Sequence, residues 1–474
     1  MQGSITAPAD LAGSPDLPAS RSRLERLAQL MTTLSLALIA IKPFLDIVSE
    51  KSAANAVDLG VLLTVAGSGC MVVAFAIVAW DLRTVPGSLL VAIFGVAFVL
   101  LLSVFAYLAT SGRADLLALF DVRRTSIYGG YIAPHSGIVN EAVRTFTGFA
   151  PLLLLPVLLR RPQWFAVGRL RLVTGVILAG AFVHSLIAWL QVAGVVPYSF
   201  FFQLPQGFIG RASGGYYHPM SLGRLLIFAV LLLYLMRDHL PLTAVKRYAL
   251  MVLFVATGAV SLHRLTLVCL VIIVAAFEVP RLGLLVRAAR SGAVSKRAVW
   301  YTLGGVLLVA GFAAWQWGPT IWSRVVITFT EIGSLDIRSD NFMHGRGAVW
   351  GDVADIFGQA SADVWGFGFG YEPWDMHNDL VRVAVTWGVV GLLLVVAVFA
   401  GLYRFTSRFC DRAGRHALIV LYVTMFVFGL TQKPMSYPYF MWLFLFCHIV
   451  IIVISGNRAA SGRVATGADN GERQ

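Results

Sequence analysis

The chain has 474 residues, of which 58% are hydrophobic and 13% charged, and its mean hydropathy is +0.78. Soluble domains carry about twice that charged fraction, so a soluble enzyme is excluded. The net charge of +13 does not point to nucleic acid, because most of the basic residues fall where a membrane protein keeps them, in loops between apolar runs.

The first residues, MQGSITAPADLAGSPDLPAS, lack the apolar core of a cleavable signal, and 1–27 reads as a disordered cytoplasmic tail. Crossing a bilayer takes about 20 mostly apolar residues. Twelve runs qualify, at 28–48, 59–80, 87–109, 145–159, 172–195, 219–236, 248–262, 265–280, 299–318, 381–403, 416–431 and 438–455. The expected fold is therefore all-α: a polytopic integral membrane protein of about 12 transmembrane helices. Nine spans lie within 28–318, a large periplasmic loop covers 319–380, three spans follow within 381–455, and 456–474 is a disordered cytoplasmic tail.

With the N-terminus inside, every other loop is rich in arginine, as in Arg160, Arg161, Arg169 and Arg171, or Arg404, Arg408, Arg412 and Arg415. The positive-inside bias then places both termini in the cytoplasm. The remaining basic residues, Lys42, Arg211, Arg224, Arg264, Arg338, Arg346, Arg382 and Lys433 among them, fall on the outer side. Such a collection suits an anionic ligand there. The four cysteines, Cys70, Cys269, Cys410 and Cys447, form neither a CxxC site nor a disulfide framework.

Lys42 and Asp46 interrupt the first run at i, i+4 spacing and predict a local ion pair beside Pro43, which bends the helix end. In GFIGRASGGYYHPMSLGRLLIF, four glycines predict a loop that delivers Arg211 and His218 to the start of a helix at Pro219 or Ser221, with Arg224 one turn deeper. A helix N-terminus favours anions, and a guanidinium adds bidentate hydrogen bonds to phosphate. The alternative for Arg211 is snorkelling to lipid headgroups. Ser261-Leu262-His263-Arg264 breaks a stretch too long for one helix, which predicts a tight hairpin. An arginine at such a boundary costs a few kcal/mol and is a functional candidate by default; the alternative is an interfacial side chain.

Within the large outer segment, Trp350, Val353 and Phe357 have helical spacing, with Arg346 at the helix start. GFGFGYEPW follows, a glycine-aromatic loop suited to close backbone approach to a ligand and to sugar stacking. Tyr216, Tyr217, Trp365, Tyr371 and Trp374 are the stacking candidates. Then comes Asp375-Met376-His377-Asn378-Asp379, with Arg382 one turn on. Histidine is the natural general base near neutral pH, and Asp375 or Asp379 is placed to orient it. The alternative is a helix-capping cluster at the membrane surface. His344 and His377 stand in no metal-binding spacing, so no metal and no cofactor are expected. GFGFG precedes no Lys-Ser/Thr, which argues against a nucleotide loop.

Taken together, Arg211 in its glycine-rich loop, Ser-x-x-Arg at 261–264, Arg346-Gly-x-x-Trp350, Gly-Phe-Gly-Phe-Gly, His377-Asn378 and then Gly388 and Gly391 resemble the O-antigen ligase and O-antigen polymerase superfamily of bacterial membrane glycosyltransferases. The resemblance covers Gly207 to about Leu394. It implies an inner-membrane enzyme that takes glycan from an undecaprenyl-diphosphate-linked donor on the periplasmic face, by inverting, metal-independent transfer. Arg211 and Arg264 would hold the diphosphate and His377 would be the base, with Arg346, Arg382, Asn378, Arg224, His218, Tyr217 and Trp374 contacting substrate. The acceptor would be lipid A-core in a ligase or growing polysaccharide in a polymerase. His218 stands where many ligases have Asn before the Pro. A transporter of lipid-linked glycan is the non-enzyme alternative, and it predicts charges along a path through the bilayer.

Overall fold

The structure is a computed structural model that describes residues 19–52, 59–79, 82–110, 115–119, 137–200, 210–216, 218–291, 326, 330, 346–373 and 375–471. Among the described residues every regular element is a helix. In chain order these are α1 (Ala19–Ser52), α2 (Leu59–Val78), α3 (Gly87–Thr110), α4 (Gly137–Phe149), α5 (Leu154–Arg160), α6 (Val167–Val192), α7 (Pro219–Leu235), α8 (Ala244–Val260), α9 (Arg264–Arg290), α10 (Arg346–Gly358), α11 (Ala362–Phe367), α12 (Asp379–Ser407), α13 (Arg412–Gly429) and α14 (Pro438–Gly471).

Eight helical stretches among the described residues are long and apolar enough to cross a membrane: Arg23–Ile47, Gly60–Val78, Gly87–Thr110, Gly137–Arg160, Pro162–Val192, Arg264–Ala288, Asp379–Ser407 and Pro438–Arg458. α7 is apolar but shorter. This is consistent with a polytopic membrane protein, in which each span satisfies its own backbone hydrogen bonds because lipid offers no partners. α7 and the first half of α14 are almost wholly buried, whereas Phe98, Leu101 and Leu108 of α3 face outward. Outward apolar rows of this kind fit contact with hydrocarbon rather than water.

Every expected run except 299–318 coincides with a helix; that run, with Arg338 and His344, lies outside the described residues. α1 starts at Ala19, within the expected N-terminal tail, and α14 continues to Gly471, within the expected C-terminal one; extending an existing helix is far easier than nucleating one. Pro43 does not end α1. Its missing N–H orphans the Ile39 carbonyl, and the Tyr439 hydroxyl donates to that oxygen at 3.1 Å. The expected Lys42–Asp46 pair forms across it.

The bundle has two chemically distinct ends. At one, Arg161 pairs with Glu25 at 2.8 Å, Arg160 donates to the Val78 carbonyl at 2.6 Å, and Arg458 lies 3.5 Å from Asp411. The other gathers the loop before α7, the α8–α9 turn, the segment leading into α12, and the turn between α13 and α14. That second end holds the candidate site.

Candidate active site

Two residues of the bundle interior, Gln191 and His184, hold the glycine-rich loop. The Gln191 side-chain oxygen accepts from Ser213 N and Gly214 N, both at 3.0 Å. His184 Nδ1 accepts from Gly215 N at 3.1 Å, which leaves its Nε2 as the protonated nitrogen, 2.7 Å from the Pro43 carbonyl. Gly214 has φ +63, and a Cβ there would sit 2.7 Å from the His184 carbonyl, so glycine is required. Tyr216 stacks flat on the His184 ring with centroids 4.0 Å apart, and is thereby a packing residue rather than an open sugar platform. His184 and Gln191 escaped the sequence reading. Their signal was two polar residues seven apart, and so on one face, in an apolar helix.

The loop leads into α7 through His218, whose Nδ1 accepts from Met220 N at 3.0 Å. His218 is thus the N-cap, ahead of Pro219 at the first helical position as expected. Ala212 N donates to the Val260 carbonyl at 3.3 Å, laying the Arg211 loop along the end of α8. The chain then turns at Ser261–His263, with Leu262 at φ +51, and Arg264 opens α9. The expected hairpin is therefore present. Burial, and the positive charge of Arg224, Arg211 and His377 around it, lowers the His218 pKa to about 4. These four side chains share one electrostatic neighbourhood although His377 lies more than 150 residues from the other three.

His377 adopts φ +48, and its backbone N–H donates to Asp375 Oδ1 at 3.1 Å. The ring Nδ1 lies 3.4 Å from that same oxygen. Lys433 Nζ is 2.9 Å from it as well, and reaches the two oxygens of Glu372 at 3.0 and 2.9 Å. Glu372 in turn accepts from Met376 N at 2.9 Å. Burial alone would lower the Lys433 pKa, but the Glu372 and Asp375 carboxylates more than reverse this and raise it, so the ammonium is held charged. Of the two orienting candidates, then, Asp375 faces His377.

Asp379 is engaged elsewhere. Its carboxylate takes Arg382 Nε at 3.1 Å and Met435 N at 3.0 Å. Arg382, 1% exposed, also reaches Glu141 at 2.6 Å, and so ties α12 to α4. Two carboxylates thus flank Arg382, the candidate for substrate contact, in the protein interior. Asn378 caps α12, accepting from Leu380 N and Val381 N at 2.8 and 3.0 Å while donating to the Leu430 carbonyl at 2.8 Å. The capping alternative therefore describes Asn378 well, while His377 stands beside the caps rather than among them.

The glycine-aromatic loop also differs from expectation. Gly368 and Gly370 have φ +69 and +78, and a Cβ on Gly370 would come 2.3 Å from the Ser103 carbonyl. Phe369 N and Gly370 N donate to the Val385 and Thr386 carbonyls at 2.9 and 2.7 Å, just before α12 kinks at Gly388. The close approach is to α3 and α12, not to a ligand. Trp365 packs edge-on against Phe357 at 5.3 Å, and Tyr371 edge-on to Tyr107 at 6.1 Å. Tyr217, Trp374 and the side chain of Arg346 lie outside the described residues. Among the described residues no three His, Cys, Asp or Glu side chains are placed to hold a metal ion.

Arg224 completes the cluster. Its guanidinium lies 3.1 Å from the centroid of the Tyr437 ring, a cation–π stack, and its buried Nε and Nη2 have no hydrogen-bond partner. The arrangement offers guanidinium groups for an anion and a carboxylate-oriented imidazole beside them. No family model matches the chain, and no curated protein matches it.

Proposed function

We propose that the chain is an inner-membrane glycosyltransferase of the O-antigen ligase kind, working on the periplasmic side with both termini in the cytoplasm and about twelve spans. The observation that carries this reading is the grouping of Arg211, Arg224, His218 and His377 at the bundle end opposite Arg160, Arg161 and Arg458. Positive-inside bias puts the latter end in the cytoplasm, and a lipid-diphosphate glycan presents its anion at the former.

In this reading, Arg211 and Arg264 bind the donor diphosphate. With Nδ1 turned to Asp375, His377 Nε2 takes the proton of the acceptor hydroxyl as its oxygen attacks the anomeric carbon. The bond from that carbon to the phosphate oxygen breaks on the opposite face, and the electron pair leaves with the lipid diphosphate. The configuration inverts. The guanidiniums offset the charge growing on the leaving group, the kind of preorganised electrostatic stabilisation that is commonly the largest catalytic contribution. Lys433 and Glu372 act one step back by fixing Asp375.

Transfer to lipid A-core is the preferred reaction and repeat-unit polymerisation the alternative. A transporter is disfavoured by the clustering of unusual charges at one end. Reconstituted protein given undecaprenyl-diphosphate-linked glycan, with lipid A-core in one arm and more lipid-linked glycan in the other, tests the proposal. Product in the first arm supports a ligase, product in the second a polymerase, and product in neither removes the enzyme reading.

A further inference from the structure

The short helix α11 is seated on the seam between α3 and α12, two helices that qualify as membrane spans. Its Phe367 packs edge-on against Phe105 of α3, with ring centroids 5.0 Å apart. Its backbone lies so close to Gly388 of α12 that a Cβ there would come 2.5 Å from Phe367 N. Val364 is buried in the same cluster as Phe357 and Phe369. Trp365, the next residue, is instead 48% exposed. The polarity of α11 also changes along its length: it starts at an exposed Asp363 to which Ser361 donates, and ends on Phe367.

Two lengths fix the depth of this helix. A hydrocarbon core about 30 Å thick takes about 20 helical residues. On α12, the stretch from Val389 to Ser407, with Arg404 in its last turn, is about 28 Å long. On α3, the stretch from Gly87 to Phe105, which begins just beyond Arg83, is about as long. The two helices are in step at the arginine end, where Gly401 faces the Ser88 carbonyl. Both lengths therefore run out at one level, at Gly388 and Phe105, the two residues that α11 touches. On the arginine side of that level, α3 and α12 present Phe98, Leu101, Val389 and Leu393 outward, rows that suit hydrocarbon. On the other side, Gln359 and Asp363 are exposed.

We propose that α11 is an interfacial helix whose exposed Trp365 indole lies among the headgroups of the leaflet on the side of the candidate site, with bulk phospholipid as its partner. An apolar ring with a polar N–H suits that zone, and the Trp365 face continues the outward apolar rows of α3 and α12. The chain after α11 pairs through Phe369 N and Gly370 N with carbonyls of α12 and then leads to Asp375 and His377. The indole thus sets the depth of the His377 segment against the membrane surface.

Bimane is attached to Trp365→Cys, Ala362→Cys and Gln359→Cys, each with Cys70 replaced by Ser, and the full chain is held at one copy per nanodisc. Quenching by phospholipid that carries a nitroxide near its headgroup is compared with quenching by aqueous iodide, and unfolding temperature reports folding. The label at 365 is expected to lose at least about half its emission to the nitroxide lipid and to be shielded from iodide, while the label at 359 behaves in the opposite way. Ala362→Cys retains the tryptophan and carries the same expectation on the exposed turn before it. Adding Trp365→Glu to that chain should weaken its lipid quenching at least about twofold, because a carboxylate is expelled from the interface. Quenching at 365 and 362 by iodide alone puts α11 in water and overturns the proposal. Quenching by neither shows a protein cover and overturns it too, as does unchanged lipid quenching after Trp365→Glu. Glycan plays no part in the measurement, so its outcome is separate from that of the transfer reading.

Discussion

Lys433 and Glu372 form a bidentate ion pair, at 3.0 and 2.9 Å, between side chains 3% and 1% exposed and 61 residues apart. The pair closes the segment that carries His377 onto the turn between α13 and α14. Because the same ammonium touches Asp375, one lysine sets both the position of the loop and the orientation of its histidine.

Removing one member leaves the other charged and unsatisfied inside the protein. Lys433→Met is therefore expected to cost about 3–5 kcal/mol, read as a lower unfolding temperature of the detergent-solubilised chain. Lys433→Met combined with Glu372→Leu should recover much of that stability. Transfer activity should stay low in the double variant, since Asp375 has lost its anchor. Recovery of both together would show that Lys433 has no positioning role.

Gly370 cannot accept a side chain. A Cβ there meets the Ser103 carbonyl at 2.3 Å and Tyr107 N at 2.7 Å, with φ at +78. Gly370→Ala is expected to destabilise by at least about 1–3 kcal/mol from backbone strain alone. Gly358→Ala, where nothing lies near, serves as the control and should be close to neutral in the same unfolding assay.

Acid should loosen the α7 entrance. His218 is depressed from 6.5 to about 4 by burial and by Arg224, Arg211 and His377, and its Nδ1 accepts the capping hydrogen bond only when unprotonated. The unfolded chain takes up that proton first, so the stability is full above pH 6.5 and is lost as pH falls toward 4. His218→Asn keeps a capping acceptor without titrating. Its unfolding temperature should fall less steeply across this window than that of wild type; parallel curves would remove His218 from the account.

Gln359 is exposed at the end of α10, on the segment assigned to the periplasm. Gln359→Cys, with Cys70 replaced by Ser, should react with a membrane-impermeant maleimide in intact spheroplasts. Labelling only after lysis would reverse the topology.

Much of this architecture was legible because membrane helices announce themselves residue by residue. Apolar length located the helices, and glycine with proline located the start of α7 at Pro219 and the break at Ser261–His263. What escaped was pairing across sequence. Nothing local to Arg382 separates an arginine that meets phosphate from one that meets Glu141, 241 residues away; only the fold brings in the carboxylate. Lys433 was likewise visible as an outer charge, but not as the anchor of Asp375. The glycines of 366–370 were rightly read as marking close approach, and wrongly read as to what approaches, because a glycine signals proximity without naming the neighbour.

The central claim is that His377 accepts the proton of the incoming hydroxyl while guanidiniums receive the departing diphosphate. Its most direct measurement is single-turnover transfer of labelled glycan from undecaprenyl diphosphate by purified His377→Ala beside wild type, with matched unfolding temperatures. The account predicts transfer at least about a hundredfold slower in the variant. Transfer at the wild-type rate would contradict it.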